Sequence, residues 1–211
     1  MRTLVAVPSL QEFQALYPSV DISPESSGVP CALNARLSVG VPGIGGAAFG
    51  AHLAKALSSE RFDCVCITGI CGAYPDSGLG LCDVVRVDSE CQGDFGYEAE
   101  DGTFKPFPAA EILKSTGTVP PPLSELRGVA SVSVNTCTGT LETATLRAHA
   151  FHSQVESMEG FSGFSVCAAS GVPVYEIRAV SNIASVRDKA LWKTEEALAA
   201  LKQALSEAGL L

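Results

Sequence analysis

Cations, histidines and long apolar runs are all scarce in this chain. Its 211 residues hold 14 Lys and Arg against 23 Asp and Glu, a net charge of −9, and the pI is about 4.8. That balance offers no basic footprint to a phosphate backbone, so nucleic acid is not an expected partner. The longest apolar stretches, such as Ala47–Leu57, are broken by His52 and Lys55 and fall short of the roughly 20 residues a bilayer needs. The opening residues MRTLVAVPSLQEF hold a four-residue apolar run, shorter than the roughly 7–15 residues of a secretory signal. They are expected to form a first β-strand. Only three histidines occur, His52, His149 and His152, and the eight cysteines include no C-x-x-C pair. A Cys/His zinc set therefore lacks its usual spacing, and no metal is expected. Cys64 and Cys66 alternate in a strand-like run and read as buried free thiols, consistent with a reduced, cytoplasmic chain.

What is present is apolar and regularly patterned. Hydrophobic residues make 46% of the chain and charged residues 18%, which argues against disorder. Runs rich in Val, Ile and Cys predict strands at Thr3–Val7, Ala35–Val41, Cys64–Thr68, Val84–Val87, Val129–Val134 and Val174–Val180. Helical periodicity falls on Leu10–Leu16, Gly46–Ser59, Leu141–Phe151, Gly160–Ser170 and Lys189–Glu207. The alternation predicts an α/β fold, one domain spanning residues 1–211 with a largely buried sheet. Residues 92–128 carry many Gly, Pro and acidic residues and read as a long functional loop beside the site, with a short helical turn around Ala109–Leu113.

Five short segments carry candidate chemistry. Gly43-Ile44-Gly45-Gly46-Ala47-Ala48 follows a strand and opens a helix, as a dinucleotide fingerprint does. Gly69, however, stands where the ribose-binding acid should be, so a tight turn near a substrate is favoured over a nicotinamide cofactor, and no cofactor is expected. Thr68-Gly69-Ile70-Cys71-Gly72-Ala73 ends the next strand and, beside the first turn, would floor a crevice that includes Gly72. Taken alone, both clusters are more simply turn chemistry. Glu156 and Glu159 flank Ser157 and Met158 in an apolar context, where a carboxylate needs donors such as ligand hydroxyls. Arg178-Ala179-Val180-Ser181-Asn182 ends a strand ahead of Arg187 and Asp188; helix capping is its plainer explanation. Glu12 sits in a first helical turn, ordinarily a capping position. With so few histidines no Ser/His/Asp or Cys/His nucleophile set is apparent, which points to direct attack by water.

Taken in order, these segments resemble the nucleoside phosphorylase and nucleosidase superfamily along nearly the whole chain, and within it most resemble the futalosine hydrolases. The match runs from Glu12 through GIGGAAFGAHLAKAL (43–57) and TGICGAYPDSGLGLCDVV (68–85) to ESMEG (156–160), RAVSN (178–182) and VRDKALW (186–192). Methylthioadenosine/adenosylhomocysteine nucleosidases are similar at the same places, including FGYE at Phe95–Glu98. The resemblance implies a twisted mixed β-sheet flanked by helices and cleavage of a purine N-ribosidic bond. It implies that Glu12 draws a proton from the attacking water, that Glu159 holds the ribose 2′- and 3′-hydroxyls, and that Met158 packs on the sugar. It also implies a homo-oligomer. Phe95 and its loop neighbours would shelter the substrate's 5′ aromatic carboxylate, with Arg187 or Lys105 pairing to its charge.

Two departures bear on substrate. Adenosine-cleaving nucleosidases carry Asp where this chain has Asn182. An amide can accept from a protonated N7 and donate to O6 of a 6-oxopurine, whereas an ionised Asp repels O6. Asn182 therefore favours hypoxanthine, with adenine disfavoured rather than excluded; water and Asp188 are the candidate sources of the N7 proton. Ile70 stands where those nucleosidases often carry Ser, and the glycine turns contain no cation. A phosphate site would want Arg or Ser/Thr donors there, so water is the expected nucleophile. A methylthioadenosine/adenosylhomocysteine nucleosidase is the nearest rival, followed by a phosphorylase and a non-catalytic nucleoside-binding protein; the presence of both Glu12 and Glu159 favours an enzyme over a binder.

Overall fold

Two ten-residue strands, β4 (Cys64–Ala73) and β11 (Val174–Ile183), run parallel at the centre of the protein and carry much of its site. The computed structural model describes residues 1–22, 28–107 and 111–211. Among these, the remaining strands are β1 (Thr3–Ala6), β2 (Cys31–Ala32), β3 (Leu37–Gly40), β5 (Val84–Gln92), β6 (Gly96–Glu98), β7 (Phe104–Pro106), β8 (Ile112–Lys114), β9 (Gly128–Ser133) and β10 (Val155–Ser157). The helices are α1 (Leu10–Leu16), α2 (Gly46–Ser59), α3 (Leu141–Phe151), α4 (Gly160–Ser170) and α5 (Thr194–Glu207).

The main sheet is mixed and follows the order β10-β9-β5-β11-β4-β1-β3-β2, with β8 on β5. β10 pairs with β9 on one side and with β4 on the other, so five strands close into a ring and β1, β3 and β2 extend from it. β4 is buried along nearly its whole length, and its face alternation divides the core. Cys64 and Cys66 join Phe13, Leu16, Leu198 and Leu201 under α1 and α5. Val65 and Ile67 join Phe49, Leu53 and Phe164 under α2 and α4. Sheet faces covered on both sides account for the near-continuous Val, Ile and Cys runs. Burial pushes the thiols up, Cys64 to about 11 and Cys167 to about 12, so both stay neutral.

The predicted helices Leu10–Leu16, Gly46–Ser59, Leu141–Phe151 and Gly160–Ser170 form over those residues. The last helix does not begin at Lys189. Asp188 caps a separate 3₁₀ turn at Lys189–Leu191, Trp192 is extended, and the Lys193 amide donates to Ser181 O at 2.8 Å before α5 starts. The amphipathic spacing of Ala190 and Leu191 thus belongs to a short turn on which Leu191 is 66% exposed. β4 continues through the second glycine cluster because Gly69 and Gly72 admit neighbours that a side chain would displace. Residues 92–128 include the β6–β7 hairpin and β8. Of the turn expected around Ala109–Leu113, 109 and 110 lie outside the described residues, while Ile112 and Leu113 pair with β5 as a strand.

α2 and α4 cross at small residues. A Cβ on Gly163 would overlap Ile67 Cδ1 and lie 3.0 Å from Phe49 Cε1. Gly163→Val is therefore expected to lower stability by about 1–3 kcal/mol through overpacking, read as a shifted denaturation midpoint with an unchanged slope.

Candidate active site

A cavity of about 280 Å³ opens where the carboxyl ends of β4 and β11 meet α1, β10 and the start of α4. That is the expected end of an α/β sheet for a ligand. Glu12, Gly72, Met158, Glu159, Asn182 and Arg187 all line it.

Glu12 lies in the first turn of α1, 8% exposed. Ser9 caps the helix: its Oγ accepts from the Glu12 amide at 3.2 Å and donates to Glu12 Oε2 at 2.5 Å. The Ile70 amide donates to Glu12 Oε1 at 2.9 Å. The S-x-x-E pattern is thus a capping arrangement whose Glu is turned inward to a cavity. Burial raises the Glu12 pKa above its ordinary value of 4.5, against the lowering pull of these donors and of Arg178.

Glu159 stands at the N-cap position of α4, 4% exposed. Its Oε1 accepts from the Gly45 amide at 3.0 Å and its Oε2 faces Arg178 Nη2 at 3.5 Å. Gly45 has φ of 83°, a conformation that favours glycine. The first glycine cluster therefore directs its amide at a carboxylate of the protein itself.

Arg178 joins these groups; in the sequence it stands only as the first residue of the RAVSN segment, with no role of its own. It is 1% exposed; its Nε donates to Glu176 Oε1 at 2.6 Å and its Nη1 to Ile70 O at 3.2 Å. A Cβ on Gly69 would lie 2.6 Å from Glu12 Oε1 and 2.9 Å from Arg178 Nη1, so both reach the same point over the strand. Burial alone would lower the Arg178 pKa, but the Glu176 and Glu159 carboxylates hold it above its usual value. The alternation Glu176, Arg178 on one strand face was the signal available in the sequence.

At the opposite end of the cavity, a bulge at Ser181 breaks the β11–β4 register: Val180 pairs with Cys71 and Asn182 with Gly72. The extra residue re-aims the strand end so that Ser181 and Asn182 both reach the cavity. Ser181 Oγ lies 2.9 Å from Asn182 Oδ1 and 3.2 Å from Cys71 O, the two acceptors within reach of its single proton. Nearby, Glu156 is fixed by the Thr138 amide at 2.8 Å, the Thr138 hydroxyl, Tyr74 Oη at 3.0 Å and Arg147 at 3.4 Å. Met158 Sδ meets Cys137 Sγ at 3.6 Å. At the mouth, the Arg187 guanidinium lies 5.6 Å over the Trp192 ring.

Two expected residues lie elsewhere. Asp188 is exposed and caps the 3₁₀ turn, its Oδ1 accepting from the Ala190 amide at 3.0 Å. Phe95 is 45% exposed and packs edge-on against Phe107 at 5.2 Å. Neither they nor Lys105 line the cavity of a single chain. Among the described residues no His, Cys, Asp and Glu group is arranged to hold a metal ion.

No protein-family model matches the chain. Among curated proteins it is similar to the futalosine hydrolase of Streptomyces coelicolor, 36% identical over 163 residues, which are 72% of this chain and 67% of that protein. It is likewise similar to that of Acidothermus cellulolyticus, 34% identical over 182 residues, 80% of this chain and 73% of that protein. Among solved structures, the 5′-methylthioadenosine/S-adenosylhomocysteine nucleosidase of Helicobacter pylori superposes with a TM-score of 0.75 at 18% identity, covering 98% of this chain and 99% of that one. This last likeness is one of fold. The mixed sheet, its helices and these relatives define an N-glycosyl hydrolase of the nucleosidase fold. Within that class, the chain belongs to the futalosine hydrolase family.

Arg178→Met would leave Glu176 and Glu159 buried without their cation. The expected loss is about 3–5 kcal/mol of unfolding free energy, measured by urea denaturation at neutral pH. Arg178→Lys should recover only part of it, because an ammonium lacks the planar fork.

Proposed function

We propose that the chain, acting as one domain, hydrolyses the N-ribosidic bond of futalosine to hypoxanthine and dehypoxanthine futalosine, a step of menaquinone biosynthesis. The observation that carries this is the meeting of Glu12 and Glu159 in one cavity, on either side of Arg178, in a chain of this family. Water attacks C1′ of the ribose and gives its proton to Glu12. The C1′–N9 bond breaks, its electron pair passes to the purine, and N7 takes a proton from solvent. Glu159 accepts from the ribose hydroxyls, and its charge opposes the positive charge that develops on the sugar. Met158 packs against the ribose and Gly72 leaves room beneath the base.

The Asn182 amide at the bulged end of β11 supports the hypoxanthine reading: it offers both a donor and an acceptor to a base edge, as a 6-oxopurine with a protonated N7 requires, and carries no charge to repel O6. Arg187, stacked on Trp192 at the mouth, suits the carboxylate of the 5′ tail. With Asp188 turned to capping, water is the simpler source of the N7 proton. The proposal includes a cytoplasmic homo-oligomer with no nucleic-acid partner. The net charge of −9 fits the last point, and no described helix is long and apolar enough to cross a membrane. Exposed Phe95, Tyr97 and Phe107 cluster on the β6–β7 hairpin; this patch suits a second copy, which would bring Phe95 to a neighbouring cavity.

Hypoxanthine release from futalosine in phosphate-free buffer, followed by chromatography, tests the reaction; cleavage of methylthioadenosine alone would favour the nucleosidase reading instead. Glu12→Gln should lower kcat by about 10²–10⁴-fold with binding kept. Because Glu12 acts ionised and burial raises its pKa, kcat should fall as pH drops through a midpoint above 4.5. Asn182→Asp should shift preference from hypoxanthine toward adenine nucleosides, compared by kcat/KM; an unchanged ratio would refute the base-edge reading. Phe95→Glu should dissociate the oligomer in sedimentation and lower activity together.

A further inference from the structure

Behind the cavity two more carboxylates are sealed from water. Glu90 of β5 and Glu176 of β11 are both 0% exposed. Each has one oxygen engaged: Glu90 Oε2 accepts from Ser133 Oγ at 2.9 Å, and Glu176 Oε1 from Arg178 Nε at 2.6 Å. The other two oxygens, Glu90 Oε1 and Glu176 Oε2, have no donor among the described residues. Both converge on Gly160 at the start of α4. A Cβ there would overlap Glu90 Oε1 and lie 2.7 Å from Glu176 Oε2. Two orphaned acceptors that face one another inside a protein repel, and one proton between them satisfies both.

We propose that Glu90 and Glu176 share a single proton, and that Glu90 in its acid form is a positioning residue for Arg178. Around the pair stand Arg178 on the strand of Glu176, Ser131 and Ser133 on β9, Cys66 and Cys71 on β4, Glu159 at the start of α4 and Glu12 on α1. The Ser131 hydroxyl, itself without a partner among the described residues, can also turn to Glu90, whereas Glu176 Oε2 keeps no donor there. Cys66 and Cys71 are neutral thiols raised by burial. One guanidinium thus meets four carboxylates. With the proton in place Glu90 is neutral, Glu176 anchors Arg178 through Nε, and the Nη atoms keep their field for Glu159 and Glu12. If Glu90 ionises, its charge competes for the same guanidinium and weakens the hold on the two cavity carboxylates. Burial first, then the charge of Glu176, raises the Glu90 pKa well above its ordinary value; burial raises that of Glu176 as well, against Arg178.

Infrared spectroscopy of the whole protein at neutral pH tests the pair directly. A protonated-carboxyl C=O band is expected that Glu90→Gln removes and Glu12→Gln leaves in place. Glu90→Gln keeps a donor toward Glu176, so its kcat at neutral pH should match that of the unaltered chain. Glu90→Leu cannot donate and should lower kcat about tenfold at unchanged KM. The sign with pH is fixed by the raised pKa: the stability supplied by the shared proton is complete below the ordinary carboxylate value and is lost as pH rises through the folded value. The melting temperature and kcat of the unaltered chain should therefore decline on the alkaline side while those of Glu90→Gln do not. No such band in the unaltered chain, or a Glu90→Gln enzyme as impaired as Glu90→Leu, would overturn the proposal. Only the kcat readings rest on the hydrolase reading. The band and the melting curves do not, so failure of futalosine cleavage and failure of the shared proton are separable.

Discussion

Arg178 enters the interior from β11 with its charge out of reach of water, and its surroundings are organised to make that position tolerable. A lone buried guanidinium would be prohibitively unfavourable, so it must be met by anions with good geometry. Glu176 meets it on its own strand, Glu159 at the start of α4, and Glu12 across Gly69 from α1. The consecutive elements α4 and β11 and the distant α1 are thereby tied to one charge. The same tie gives the site its chemistry: two carboxylates that would repel each other in one small cavity are held apart in role and direction by the cation between them.

Most of the scaffold was legible in the sequence because periodicity reports burial. α1 to α4 follow their apolar spacing, and the Val, Ile and Cys runs mark strands covered on both faces. The failures occur where a local hydrogen bond outcompetes periodicity. Asp188 closes a separate turn, and Lys193 donates back to Ser181, so Ala190 and Leu191 never join α5. β4 outruns its expected end because glycines that usually signal a turn serve here as close-approach positions beside Glu12, Arg178 and Asn182.

Site residues divide in the same way. Glu12, Glu159, Met158, Gly72, Asn182 and Arg187 line the cavity; taken singly each has a plainer explanation as a cap, a turn or apolar packing, and only the order of the segments and the family resemblance draw them together. Arg178, Glu90 and Glu176 are mid-strand, and in a linear reading they look like interruptions of an apolar pattern. Their relation depends on which strands are neighbours, and a single sequence does not print that. Phe95 and Asp188 were named from resemblance, and in a single chain they lie outside the cavity wall.

The ring of five strands carries a consequence for how the protein comes into being. β10 is three residues long, yet it bridges β9 and β4, and its partners on β4 lie more than eighty positions earlier in the chain. Contacts that distant form late, after the loop entropy between them has been overcome. Glu159 follows β10 by only two positions, and its own partners, Gly45 and Arg178, come from opposite halves of the chain. The Glu159 carboxylate is therefore set only when the ring shuts. Partly folded chains, however much helix and strand they contain, present no assembled pocket to a nucleoside, and a bound nucleoside reports that the last seam has closed.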